Sequence, residues 1–267
     1  MTIQAMNFFA EYIREKKMIF NLSLSDFKNH YAGSIFGITW AFINPLFTIA
    51  VFWFVFEIGL RQQMVDDVPF LLWFICALIP WNFFAESLSS CTNVLYEYNY
   101  LVKKVVFKVS LLPAIKIFSG LFIHLFFLGI IAFTAILYTQ SFSLYYFQSL
   151  YYLVALFSLV LALGLTTSAM AVFFPDLKNM IALSLQLLFW GTPIFWSLER
   201  LSPKLQIIFK LNPLYYITQG YRDSFIYDVG FWMRPKLTLY FWTLILVMLF
   251  FSQLIFRKLR PHFADVL

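Results

Sequence analysis

Charge is what this sequence has least of. Only 12% of its 267 residues are Asp, Glu, Lys or Arg, against 62% hydrophobic residues and a mean hydropathy of +0.79. Soluble domains carry roughly 25% charged residues, so a water-soluble fold is excluded and an integral membrane protein is indicated. Cysteine is nearly absent as well. Cys76 and Cys91 lie in one apolar run, and fifteen residues of helix would hold them roughly 22 Å apart, too far to bond. With three histidines (His30, His124 and His262), no H-E-x-x-H and no His/Cys cluster, metal chemistry has no ligands. No glycine precedes a lysine, so the phosphate loop G-x-x-x-x-G-K-[ST] is missing, and with it nucleotide hydrolysis by this chain; energy must come from elsewhere. Within the apolar runs the carboxylates are Glu57 and Glu86, too few for a proton relay, and no repeat of broken helices is visible. An ion-coupled secondary transporter is therefore the lesser alternative. A membrane-embedded transferase would need a polar catalytic cluster, which the sequence lacks.

What is present begins at Leu22–Phe56, where an amphipathic segment runs into an uncharged span. Phe20, Leu24, Phe27 and Tyr31 recur at helical spacing and predict a helix lying on the membrane surface. Ser25 and Asp26 suit its first turn and Gly33 its end. Ile35 to Phe56 holds no charge and is long enough to cross the ~30 Å hydrocarbon core. Because this run begins beyond residue 34, after Glu11, Glu15 and Asp26, and shows no small-residue cleavage site, it is not a signal peptide.

Six spans are expected, at about 35–59, 70–93, 113–138, 145–174, 179–198 and 236–256. Residues 1–34 form a cytoplasmic tail and interfacial helix, and 35–267 the six-span transmembrane domain. Pro45 and Pro80 should kink the first two spans, and Gly191 and Pro193 should unwind the end of the fifth. Residues 60–69 read as a polar loop, 94–112 as a wet connector with a short helix, and Lys116 as a side chain snorkelling to the headgroups. Residues 199–235 are too apolar for a loop and too interrupted to cross, which fits two short re-entrant helices shielded by protein. The fold class is thus all-α.

The +6 net charge is scattered at span ends rather than gathered on one face, so it argues for topology and not for nucleic acid. Placing both termini inside puts twelve of nineteen basic residues on the cytoplasmic side: Arg14, Lys16, Lys17, Lys28, Lys103, Lys104, Lys108, Lys116, Lys178, Arg257, Lys258 and Arg260.

KNHYAGSIFGITWAFINPL, VFWFVFEIGL, VPFLLWFICALIPWNFF, FFPDLKN, FWGTPIFW and LNPLYYITQGYRDSF together resemble the membrane subunits of ABC exporters that move cell-surface polysaccharides on lipid carriers. The likeness runs from about Asp26 to Leu267. It is strongest to the wall teichoic acid exporter branch, with O-antigen and capsule exporters as the alternative. Related O-antigen exporters usually carry Leu-Gly where this chain has Phe36-Gly37. The resemblance implies a bacterial cytoplasmic membrane protein working as a homodimer with two copies of a cytoplasmic ATPase. That partner would hold ATP and Mg2+, this chain no cofactor, and the cargo would be a lipid-linked polymer. It further implies that residues 22–33 form the interfacial helix, 94–104 the coupling helix and 203–226 the outer re-entrant helices.

On this frame Lys28, His30, Phe36 and Gly37 are candidates for meeting the carrier headgroup at a cytoplasmic gate, although anionic phospholipid would suit the two cations equally. Glu97, Tyr98 and Asn99 are candidates for coupling to the ATPase. Trp53, Phe56, Trp73, Phe74, Trp81, Phe84, Trp190, Phe195 and Trp196 are candidate channel-lining aromatics, and lipid contact accounts for such residues too. Asn212, Pro213, Tyr216, Arg222 and Asp223 are candidates for an outer gate, with Arg222–Asp223 as its ion pair.

Overall fold

A computed structural model describes residues 12, 14–30, 35–61, 64–65, 68–103 and 107–267. Helix α1 (Lys16–His30) precedes a single turn at Gly37–Thr39, helix α2 (Trp40–Trp53) and a wider π turn at Phe54–Gly59. Strands β1 (Met64–Val65) and β2 (Val68–Pro69) pair antiparallel, with Val65 opposite Val68. Then follow α3 (Phe70–Glu97), α4 (Asn99–Val102), α5 (Leu112–Thr139), α6 (Gln148–Phe173) and α7 (Leu177–Gly191). Helices α8 (Pro203–Lys210), α9 (Pro213–Phe225), α10 (Pro235–Leu259) and α11 (Phe263–Val266) complete the chain.

The core is organised on α3, which packs against α5, α6, α7 and α9, while α10 lies on α6 and α1 on α5. Of α3's most apolar stretch 78% is buried, against 6% for the span formed by α2 and its π turn. Small residues permit the closest approach: a Cβ on Gly164 of α6 would stand 2.8 Å from the Cβ of Cys91 on α3. Cys76 and Cys91 are both free and buried, each a small residue where helices meet. Gly220 of α9 does the same against the ring of Tyr152, which seats α9 inside the fold.

Among the described residues five helical stretches are long and apolar enough to cross a membrane: Gly37–Gly59, Phe70–Glu97, Val109–Thr139, Leu144–Phe173 and Pro235–Val266. The fifth expected span unwinds where Gly191 and Pro193 led us to expect it. Helix α7 has 15 residues, roughly 22 Å, and ends where Pro193 forces Thr192 into extended backbone (φ −101°, ψ 136°). The polar loop at 60–69 contains the β1–β2 hairpin, so the class is all-helical apart from one two-stranded ribbon. Pro45 and Pro80 both lie within helices α2 and α3. Residues 203–226 form the two expected short helices, each opening on proline at its first position, where a missing N–H costs nothing.

Helix α1 starts earlier than the sequence suggests, so Ser25 and Asp26 sit late in it and do not cap its first turn. Its buried residues are Ile19, Ser23 and Asp26, whereas Phe20 is 56% exposed. The stripe is half covered: the rings of Phe20 and Phe27 lie against Phe122 of α5, at 6.3 and 5.4 Å between centroids, while the polar residues between them find protein partners. Ser23 donates to the carbonyls of Ile19 (2.8 Å) and Ile115 (3.0 Å). The stripe residue Tyr31, the helix stop Gly33, the charges Asp66 and Asp67, and Lys104 lie outside the described residues.

The start of α5 meets α1, and Phe173 at the end of α6 meets Phe263 of α11. Because α5 and α6 run antiparallel through a short turn, both described ends of the chain lie at one end of the bundle.

Candidate functional site

Two charged assemblies stand at opposite ends of α3. The first gathers α1, the end of α3 and the start of α5. Lys116 lies where an amphipathic side chain was expected to reach out to headgroups, and instead it is 8% exposed. Its Nζ is 2.7 Å from Asp26 Oδ1 and 2.6 Å from Glu97 Oε2. A lysine inside an apolar span needs a partner because burial of an unpaired ammonium is costly, and this one has two. Tyr98 donates from its hydroxyl to Asp26 Oδ1 (2.6 Å), and its ring lies 5.4 Å from Lys116 Nζ. Burial, reinforced by that hydrogen bond, raises the Tyr98 hydroxyl above the ordinary phenol range and keeps it a donor. Asp26 is buried, whereas the Glu97 side chain is 48% exposed.

Thus Glu97 and Tyr98, two of the three coupling candidates, belong to one ionic junction with Asp26 and Lys116; Asn99 begins the next helix, α4. Sequence reasoning read Asp26 as a cap and missed Lys116's role. The available signal was Lys116 itself, a cation a few residues into an otherwise uncharged run.

Of the carrier-headgroup candidates, Lys28 and His30 are exposed at the end of α1. His30 and Glu86 also line a small polar cavity shared with Asp26, Ser87, Ser90 and Lys116. Phe36 is 60% exposed, its ring edge-on to Trp40 at 5.6 Å, and Gly37 takes φ +51°, a left-handed turn that glycine adopts without strain.

The second assembly joins α3, α9 and the extended stretch after α7. Arg222 is buried, its guanidinium carbon 3.4 Å from the ring centroid of Trp73. Its Nε donates to the Trp73 carbonyl (3.3 Å) and its Nη2 to that of Ile194 (3.0 Å). Asp223 turns to Arg234: Nε lies 2.6 Å from Oδ2, and Nη2 donates to Oδ1 at 2.9 Å. Gln219 also donates to that carboxylate. Asp223 and Arg234 therefore form an ion pair. On a helix adjacent residues point about 100° apart, so Arg222 and Asp223 also serve different neighbours.

Asn212 caps α9 by accepting from the Leu214 N–H, and donates to Thr192 Oγ1 (3.0 Å), with Pro213 at the first helical position. Tyr216 exchanges hydrogen bonds with Tyr151 (2.8 Å) and Thr238 (3.0 Å). A cavity of about 620 Å³ opens among these elements, lined by Trp73, Tyr215, Gln219, Arg222, Tyr227 and Arg234 among others.

The aromatic candidates separate into groups. Trp73 lines that cavity. Phe56, Phe74 and Phe195 form one packed cluster with Phe52 and Phe70, and Trp81 and Phe84 continue it along α3. Within one subunit Phe74 and Phe84 are wholly enclosed. Trp53 and Trp190 reach the surface, and Trp196 donates to the Trp190 carbonyl.

Residues 19–226 match the model of the ABC-2 type transporter family. The chain belongs to that family. Two O-antigen export system permease proteins RfbA from Klebsiella pneumoniae are 29% identical over 246 residues, covering 91% of this chain and 92% of theirs. A protein of the same name from Myxococcus xanthus is 25% identical over 257 residues, covering 96% and 97%. The ABC-2 chain is therefore a membrane transport subunit whose relatives align from end to end.

Proposed function

We propose that this ABC-2 chain is the membrane subunit of an ATP-driven exporter that carries a lipid-linked cell-surface polysaccharide out of the cytoplasm. The observation carrying this reading is the alignment with O-antigen export permeases over more than nine-tenths of both chains. For the polymer, that alignment favours an O-antigen-type glycan. Wall teichoic acid is the second reading, supported by VFWFVFEIGL with the following VPFLLW and by NPLYYITQGYRDSF.

In the working unit a separate ATPase supplies the energy, two copies of each subunit assemble, and both termini face the cytoplasm. Helix α7 with the extended residues behind it serves as a sixth crossing, and α8 and α9 as outer re-entrant helices. ATPase closure pushes on the residues around α4, and α3 transmits the displacement to the outer assembly. Over the 24 residues from Trp73 to Glu97 a helix extends roughly 36 Å, enough to reach across the hydrocarbon.

The test is reconstitution with the partner ATPase in vesicles, using labelled carrier-linked O-polysaccharide and teichoic acid as parallel cargoes. ATP-dependent export of the first and not the second is expected. Export without the partner, or export sustained by a proton gradient at constant ATP, would overturn the reading.

A further inference from the structure

The ionic junction fixes the inner end of α1, but the helix's other end rests over a groove that the protein leaves open. Ile19 and Phe20 of α1, Phe118 of α5, Phe157 and Leu161 of α6, and Leu249 of α10 line this groove of about 450 Å³. Its floor is the Phe118–Phe157 ring pair, 4.9 Å between centroids. Polar atoms offer it nothing: Ser158 donates to the Val154 carbonyl of its own helix, and the Tyr12 hydroxyl to the Ser110 carbonyl. Water has too few partners here to be held, whereas hydrocarbon fits. Lys16 stands at one end, exposed and with no carboxylate partner among the described residues. Lys17 follows it in sequence, whereas Glu15 is drawn 3.4 Å from Lys108. The rim is thus cationic and the slot apolar.

We propose that this groove is a binding site for one anionic glycerophospholipid of the leaflet facing α1, with an acyl chain under the helix and the phosphate on Lys16. An apolar slot with a cation at the mouth matches that chemistry at both ends, methylenes in the slot and phosphate on the ammonium. The bound lipid wedges the start of α1, and so sets how Asp26 on that helix meets Lys116. The assignment holds whichever polymer is exported, so its failure leaves the transport reading intact.

Native mass spectrometry of the purified transporter, permease with its partner ATPase, tests this with added phosphatidylglycerol and phosphatidylcholine. The wild type should retain one phosphatidylglycerol per permease chain. Lys16→Gln should weaken that retention about fivefold, the effect of one lysine at an anionic surface, and Lys16→Arg should preserve it. Ser158→Phe should expel both lipids by filling the groove, with an unchanged melting temperature showing that the fold survives. Equal retention of the two lipids by wild type and Lys16→Gln would mean ordinary annular lipid and overturn the proposal. Displacement of phosphatidylglycerol by equimolar polyprenyl phosphate would assign the groove to an isoprenoid carrier and overturn it as well.

Discussion

The two ends of α3 hold charge in different ways. At the end near α1, one lysine lies between two carboxylates, one enclosed and one half exposed, and all three come from separate segments. At the other, Arg222 donates to two backbone carbonyls and lies on a ring, while Asp223 is held by Arg234 from beyond α9. Exchangeable ionic partners allow one contact to be traded for another without stranding a charge. An arginine bound to two fixed carbonyls and stacked on tryptophan has no such freedom. In the proposed transport cycle the Lys116 junction is the moving contact and the Arg222 assembly the anchor, with α3 as the rod between them.

The sharpest way to break this comparison is Lys116→Met. Asp26 would remain buried with no cation, and loss of one partner of such a pair costs roughly 3–5 kcal/mol. A large drop in melting temperature in nanodiscs is expected, partly restored by adding Asp26→Asn, because a neutral amide needs no counter-ion. Unfolding of Lys116→Met together with the wild type would show that the junction does not hold α1 in place.

Arg222 comes next. Arg222→Gln leaves the Ile194 carbonyl short of a donor and removes both the second bond to the Trp73 carbonyl and the stack, for a loss of roughly 2–3 kcal/mol. Arg222→Lys should do nearly as badly, since a compact ammonium cannot reach both carbonyls and cover the ring. Full stability in Arg222→Lys would reduce the anchor to a simple charge. Asp223→Asn should cost less, about 1–2 kcal/mol, because it leaves only Arg234, 32% exposed and within reach of water, whereas Arg234→Gln strands the buried Asp223 and should cost as much as Arg222→Gln. A double-mutant cycle checks their coupling, and an interaction energy near zero would separate them.

How much of this was legible in the sequence follows from what sequence patterns encode. Apolar run length located the helices that form α2, α3, α5, α6 and α10, because a membrane crossing imposes a minimum length. Gly191 and Pro193 marked the unwound end of α7, but run length counted the unwound residues as part of the helix. The pattern Phe20, Leu24, Phe27 identified α1 as amphipathic, but not that Ser23 and Asp26 would be buried on α5, because spacing along one helix does not show what packs against it. The two assemblies were half visible. Residue type singled out Glu97, Tyr98, Arg222 and Asp223, while their partners Asp26, Lys116, Trp73 and Arg234 come from distant segments that spacing cannot pair.

The smallest change should discriminate best. Glu97→Gln removes one of two carboxylates from Lys116, but Asp26 remains at 2.7 Å and the glutamate is half exposed, so stability should fall by less than ~1 kcal/mol. Transport should respond out of proportion. If Glu97 is the partner that Lys116 gives up when the ATPase moves α4, Glu97→Gln should leave ATP hydrolysis in the assembled transporter near wild type while lowering export several-fold, and Asn99→Ala should act in the same direction. Arg222→Lys, by contrast, should change stability and export together, because an anchor fails by loosening. Hydrolysis and export that fall in parallel in Glu97→Gln would make both ends of α3 anchors, and the distinction between them would be lost.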